Sequence, residues 1–137
     1  MQLITLPNLA LVALSCFALD VAADSGYGGS CNSISPYHST RAPHWVIFAN
    51  CRKISGIYNV DNTINMDSCF GNSGGRLVGQ LNGGFSGSCK DIHMSGTTLY
   101  ATCGNGRGGW NQASINTNDF IGNYNGLMKC FGQNGLY

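Results

Sequence analysis

The chain has 137 residues, a formal net charge of +1 and only 9% charged residues, a length that fits one domain or two half-size repeats and excludes a multi-domain enzyme. The charged fraction lies far below the roughly 25% usual for globular domains, so polarity rests on 15 Asn, 13 Ser and 20 Gly. So weak a field excludes nucleic-acid binding through phosphates, whereas amides that donate and accept beside glycines that expose backbone suit neutral, hydroxyl-rich ligands.

In chain order, residues 1–23 read as an export signal. Leu9 to Leu19 is almost wholly apolar, and Val21-Ala22-Ala23 places small residues before Asp24, although Met1 to Asn8 carries no charge. The apolar run is shorter than the roughly 18 residues a membrane span needs, so a soluble, secreted domain over 24–137 is expected. Losing the leader removes Cys16 and leaves six cysteines, at 31, 51, 69, 89, 103 and 130. An oxidising compartment favours their pairing, but the count alone leaves the connectivity open. Seven Lys and Arg then face five Asp, with no glutamate.

An internal repeat follows. Tyr27-Gly28-Gly29-Ser30-Cys31 returns as Phe85-Ser86-Gly87-Ser88-Cys89, and Ile47-Phe48-Ala49-Asn50-Cys51 as Leu99-Tyr100-Ala101-Thr102-Cys103. Tyr58-Asn59 answers to Trp110-Asn111, Ile64-Asn65 to Ile115-Asn116, Gly71-Asn72 to Gly122-Asn123, and Gly75 to Gly126. Repeat one covers 25–82 and repeat two 83–137. The first copy holds six extra residues within Ser35 to His44, read as an enlarged hairpin loop, and one more between Tyr58 and Ile64.

Within each copy, short alternating apolar runs such as Ile92, Met94, Leu99, Ala101 and Cys103 surround Ser95-Gly96-Thr97. That is the period and punctuation of strand, turn, strand. Asn123-Tyr124-Asn125-Gly126 reads as the tip of a last hairpin, and Thr117 to Ile121 as one helical turn capped by Asn116 or Thr117. No stretch sustains a helical period, so the chain reads as all-β with about ten short strands.

These motifs, in two copies in register with the cysteines, resemble the cyanovirin-N homology proteins, a family of mannose-binding lectins. The resemblance runs over 25–137 and is strongest in Phe85 to Cys89, Ser95 to Leu99, Ala101-Thr102-Cys103, Gly108 to Asn111 and Ile121 to Gly126. It implies a pseudo-symmetric, strand-exchanged fold in which a three-stranded sheet of one copy packs with the terminal hairpin of the other. It also implies that Cys31 pairs with Cys51 and Cys89 with Cys103. Cys69 and Cys130 are not repeat-equivalent, since Phe120 and Gly79 hold the matching positions, yet the exchange would bring them into one half. A third bridge, Cys69 to Cys130, is therefore predicted.

Carried residue by residue, the resemblance implies two sugar pockets. The first uses Gly29, Ser30, Arg52, Ile54, Asn123, Tyr124 and Asn125; the second uses Gly87, Ser88, Gly104, Asn105, Gly106, Gly108, Asn72, Ser73 and Gly74. The family grips sugar partly with acidic and basic side chains, and the second set is stripped to Gly, Asn and Ser, which makes the first the stronger candidate. No catalytic group, cofactor or metal is called for, and the expected partners are glycans or glycoproteins, bound by a monomer or a domain-swapped dimer exchanged about Gln80 to Gly84. The alternative is a protein-binding or structural module on the same fold with sugar affinity lost.

Other residues read as structural. Trp110 and Tyr58 are placed in the core from their position within strands. Tyr37, His44 and Trp45 belong to the insertion and read as loop packing, with an extended binding surface as the functional alternative. His38, His44 and His93 fit no zinc spacing, and the chain lacks the paired carboxylates of a glycosidase. Arg52-Lys53 reads as a solvated basic pair.

Overall fold

The computed structural model describes residues 24–134, so the expected leader over 1–23 lies outside the described residues. Short alternating runs between glycine-rich turns become eleven strands, all paired antiparallel. Copy one forms a three-stranded sheet of β1 (Cys31–His38), β2 (Trp45–Arg52) and β3 (Tyr58–Asn65), followed by the hairpin β4 (Phe70–Ser73) and β5 (Arg76–Gly79). Copy two repeats this with β6 (Cys89–Ser95), β7 (Thr98–Gly104) and β8 (Trp110–Asn116), then β9 (Gly122–Tyr124) and β10 (Leu127–Cys130), to which the short β11 (Gln133–Asn134) adds an edge. The predicted helical turn is a single 3-10 turn, Thr117–Asp119, capped by the Asn116 side chain, and Asn65 caps Met66–Ser68 in the same way.

The copies are exchanged. Hairpin β4–β5 packs on β8 of copy two, while β10 packs on β3 of copy one. In the second contact the Met128 amide donates to Asn62 Oδ1 at 3.0 Å, a buried bond between copies. Two further staples are related by the pseudo-symmetry. Asp67 accepts from the Ser86 amide and hydroxyl at 2.8 and 2.6 Å, and Asn118 Oδ1 accepts from the Gly28 amide at 2.7 Å. Between the copies, Gln80 to Gly84 is tied to Asp67–Cys69 by bonds from the Gln80, Asn82 and Gly84 amides. Three of the five amides of this stretch are thus spent on the preceding turn, which orders it between the copies.

All six cysteines of the described residues pair as predicted: Cys31–Cys51, Cys89–Cys103 and Cys69–Cys130. The first two close hairpins within a copy, and the third joins copy one to copy two. At the pseudo-equivalent place in the other half, the Phe120 ring fills the space that a Cβ on Gly79 would need. One half is thus locked by a bridge and the other by an aromatic ring seated on a glycine.

The core joins both copies. Ile47, Ile64, Met66, Phe70, Phe85, Leu99, Ile121 and Met128 are fully or almost fully buried, and the Phe70 ring stands edge-on to Phe85 and Phe120 at 6.5 and 6.0 Å. Tyr27 is also buried, its hydroxyl 2.6 Å from Thr117 Oγ1, which itself donates to the Thr97 carbonyl at 2.6 Å. Burial pushes the Tyr27 phenol up from 10.0 to about 12, against a smaller lowering by the Thr117 bond. The folded state therefore holds this proton more tightly than the unfolded chain, and stability present below pH 10 is lost as pH rises toward 12. Denaturant titrations should show a fall on the order of 2 kcal/mol across that window, and Tyr27→Phe should flatten it.

Two readings of individual residues are corrected. Trp110 and Tyr58 are 54% and 42% exposed and are not core residues. Trp110 shares its sheet face with Gln112 and Ser114, whereas Ala113 and Ile115 point inward. In copy one, pairing shifts by one residue between Ala49–Asn62 and Cys51–Asn59. The extra residue between Tyr58 and Ile64 is thus a β-bulge, which keeps Tyr58 outward while Ile64 stays inward. The six-residue insertion is also only partly a loop. Pro36, Tyr37 and His38 are strand residues paired with Ile47, Val46 and Trp45, and the loop proper is 39–44. Tyr37 is 56% exposed, whereas Trp45 packs on the core with His38 4.6 Å from its ring.

Candidate functional site

The exchange carries the tip of hairpin β9–β10 onto the end of β2, and the side chain of Asn123 makes the junction. Its amide nitrogen donates to Ser30 Oγ at 2.9 Å and to the Arg52 carbonyl at 2.8 Å, and its Oδ1 accepts from the Gly126 amide at 2.8 Å. Asn125 Oδ1 accepts from the Ile54 amide at 2.9 Å, and Asn59 donates to the Gly126 carbonyl at 2.8 Å. These bonds fix an open cleft of about 410 Å³ lined by Ser30, Arg52, Lys53, Ile54, Gly56, Asn123 and Asn125. Both Asn123 N–H groups are spent within the protein, so this residue shapes the cleft. The Ser30 hydroxyl, the Asn125 amide nitrogen and the two cationic heads are what it offers a ligand.

Gly126 is required here. Its φ is +93°, and a Cβ would come within 2.9 Å of both Asn59 Cβ and Lys53 Cγ. Gly126→Ala should therefore lower stability by more than about 1 kcal/mol, read as a shift in the denaturation midpoint at unchanged slope.

The second site repeats the scaffold at the other end of the molecule. Asn72 donates to Ser88 Oγ and to the Gly104 carbonyl, both at 2.9 Å, and accepts from the Gly75 amide at 2.8 Å. Asn105 closes its own loop by accepting from the Arg107 and Gly109 amides at 2.8 and 3.1 Å. The copies differ in what they add to that scaffold: Arg52, Lys53, Ile54 and Asn125 correspond to Gly104, Asn105, Gly106 and Gly74. The second site thus lacks the side chains that wall the first.

Most of the residues expected from sequence are brought together. Ser30, Arg52, Ile54, Asn123 and Asn125 share the first cleft, and Gly29 lies in the 3-10 turn that leads into Ser30. Tyr124 is placed elsewhere: it lines a larger, mostly apolar cleft of about 780 Å³ with Phe120, Phe131 and Lys129, whose Nζ lies 4.8 Å from its ring centroid. Successive strand residues face opposite sides, so Tyr124, next to Asn123 on β9, points away from the Asn123 cleft, while Asn125 lies in the left-handed turn that follows. Of the second set, Asn72, Ser88 and Gly104 meet directly, while Ser73 and Gly74 form the facing hairpin tip. Gly87 ends a 3-10 turn, and Gly106 and Gly108 belong to the exposed loop before Trp110. The sequence reading missed Lys53, Gly56 and Asn59. Asn59 was detectable, because it and Asn111 recur after the aromatic residue in both copies.

With this geometry in place the likeness to known proteins is specific. The model of the CVNH domain matches residues 27–96 and again 85–136. The chain belongs to the CVNH family. Among solved structures, this CVNH domain is similar to GzCVNH of Gibberella zeae at 27% identity, with a TM-score of 0.62 over 78% of this chain and 98% of that one. It also shares its fold with a MoCVNH3 variant solved in complex with (N-GlcNAc)4, at 20% identity and a TM-score of 0.65 over 77% of this chain and 97% of that one. Microvirin, solved in complex with mannobiose, has a TM-score of 0.60 at 18% identity over 77% of this chain and 98% of that one. No curated protein matches the chain.

Proposed function

We propose that this CVNH protein is a secreted, non-catalytic lectin for mannose-type oligosaccharides, with the Asn123 cleft as its principal site. The observation that carries the reading is the bonding of that cleft, in which one copy's hairpin tip is held on the other copy's strand end while Ser30 and Asn125 keep polar groups open. Such a cleft matches adjacent sugar hydroxyls, which need donors and acceptors at close spacing. Among the described residues its lining holds no carboxylate to act as the general acid of a glycosidase. The mannobiose and (N-GlcNAc)4 complexes of structurally similar proteins support a sugar as the ligand class. The apolar run from Leu9 to Leu19, with Val21-Ala22-Ala23 before Asp24, supports secretion. The second site, with glycine where the first has Ile54 and Asn125, is the weaker of the two.

A polar cleft of this size is expected to bind its sugar in the micromolar to millimolar range, roughly −8 to −4 kcal/mol. A glycan-array screen of the oxidised 24–137 protein should pick out mannose-rich oligosaccharides. Silence across the array from correctly bridged protein contradicts the proposal.

A further inference from the structure

The first cleft is walled by two consecutive cations, and the fold does not need them. The Arg52 amide donates to the Ser30 carbonyl and the Lys53 amide to the Ile57 carbonyl; in copy two, Gly104 and Asn105 make the same backbone bonds to Ser88 and Gly109. The same loop therefore closes with no cation at either position. Both side chains are exposed, and among the described residues neither head group has an ion-pair partner. Among the described residues no carboxylate lines the cleft either: Asp24 and Asp119 line the cleft around Tyr124, Asp91 lies with His93 and Tyr100, and Asp67 is bonded to Ser86. A neutral ligand would use these two side chains only as hydrogen-bond donors, whereas an anionic one would also use their charge. From this geometry we infer that the first cleft takes an anionic sugar unit, its hydroxyls on Ser30 and Asn125 and its carboxylate or phosphate on Arg52 and Lys53. The inference rests on the lectin reading of this cleft and deepens it.

The chemistry favours a fixed anion on a sugar frame. Arginine presents a planar fork suited to two anionic oxygens, while lysine supplies a mobile point charge beside it. The exposed, apolar Ile54 completes the wall and can cover the C–H face of the sugar ring.

Mannose, mannose 6-phosphate, mannuronic acid and inorganic phosphate, each titrated into the oxidised protein and followed by NMR, test this directly. At low salt one or both anionic sugars should bind about tenfold more tightly than mannose, which is about 1.4 kcal/mol, with shifts centred on Ser30 and Asn125. Whichever of the two is preferred distinguishes phosphate from carboxylate as the source of the charge. That preference should collapse in about 1 M NaCl, where the Debye length is about 3 Å. It should also vanish in the Arg52→Gln/Lys53→Gln double variant, whose exposed positions leave the fold intact by circular dichroism. Equal affinities for mannose and the anionic sugars overturn the inference while leaving the lectin reading standing. So does inorganic phosphate binding as tightly as mannose 6-phosphate, or shifts centred on Lys129. Failure of all three sugars to bind removes both readings.

Discussion

Replacing Cys69 and Cys130 together by alanine should lower the unfolding free energy by about 4 kcal/mol, the largest single stability effect expected in this molecule. The other bridges close short hairpins, 20 and 14 residues apart in sequence, inside one copy. This one spans 61 residues and crosses the boundary between copies, so by loop entropy it contributes about 1 kcal/mol more than either of the others. Both sulfurs belong to fully buried residues, so alanine also leaves unfilled space in the core. Against a total stability of about 5–15 kcal/mol for an ordinary domain, the variant should remain folded at room temperature but with much of its margin gone. Denaturant titration of the two proteins under oxidising conditions measures it. A loss below about 1 kcal/mol would show that the exchanged contacts, Met128 on Asn62 and Phe120 on Gly79, hold the halves together without the bridge.

Asn123→Ala should weaken sugar binding by at least tenfold, about 1.4 kcal/mol, and lower stability as well. Three bonds go at once, and the Ser30 hydroxyl, the Arg52 carbonyl and the Gly126 amide lose the group that holds them in register. Asn125→Ala gives a different outcome. Its single bond, to the exposed Ile54 amide, is worth about 1 kcal/mol at most, so affinity should fall with little change in stability. Asn72→Ala, the pseudo-symmetric partner of Asn123→Ala, should cost similar stability but little affinity, because the second site has no side-chain wall. Calorimetric titration and denaturation of the three variants separate scaffold from contact. Equal affinity losses for Asn72→Ala and Asn123→Ala would place the two sites on the same footing.

Much of this was legible in the residues because the repeat is self-checking. A cysteine, an asparagine or a glycine that recurs at the same place in both copies marks a position the scaffold uses, and Asn72 with Asn123 and Gly75 with Gly126 proved to be the pivots of the two sites. The bridge between Cys69 and Cys130 was foreseeable for the opposite reason: two unmatched cysteines, placed by strand exchange in one half. What escaped the reading depended on which side of a strand a residue faces. Tyr124 was grouped with its neighbours in sequence although alternation sends it to the other cleft. Trp110 and Tyr58 were assigned to the core from their position within strands, although Trp110 shares parity with Gln112 and Ser114. Tyr58 needed the bulge to be recognised, and the single extra residue before Ile64 was its visible trace. Lys53 was invisible as a cleft residue, because a turn carries its side chain to the same opening as Arg52 and no sequence period records that.

The central claim is that one cleft, built across the exchange by Asn123, binds sugar. The most direct measurement is an NMR titration of the oxidised, isotope-labelled protein with mannobiose. The predicted result is a saturable shift of the Ser30, Ile54 and Asn125 amides, with those of Ser88, Asn72 and Gly106 moving less or not at all. Shifts confined to the cleft around Tyr124 and Phe131, or no shifts at millimolar sugar, would contradict it.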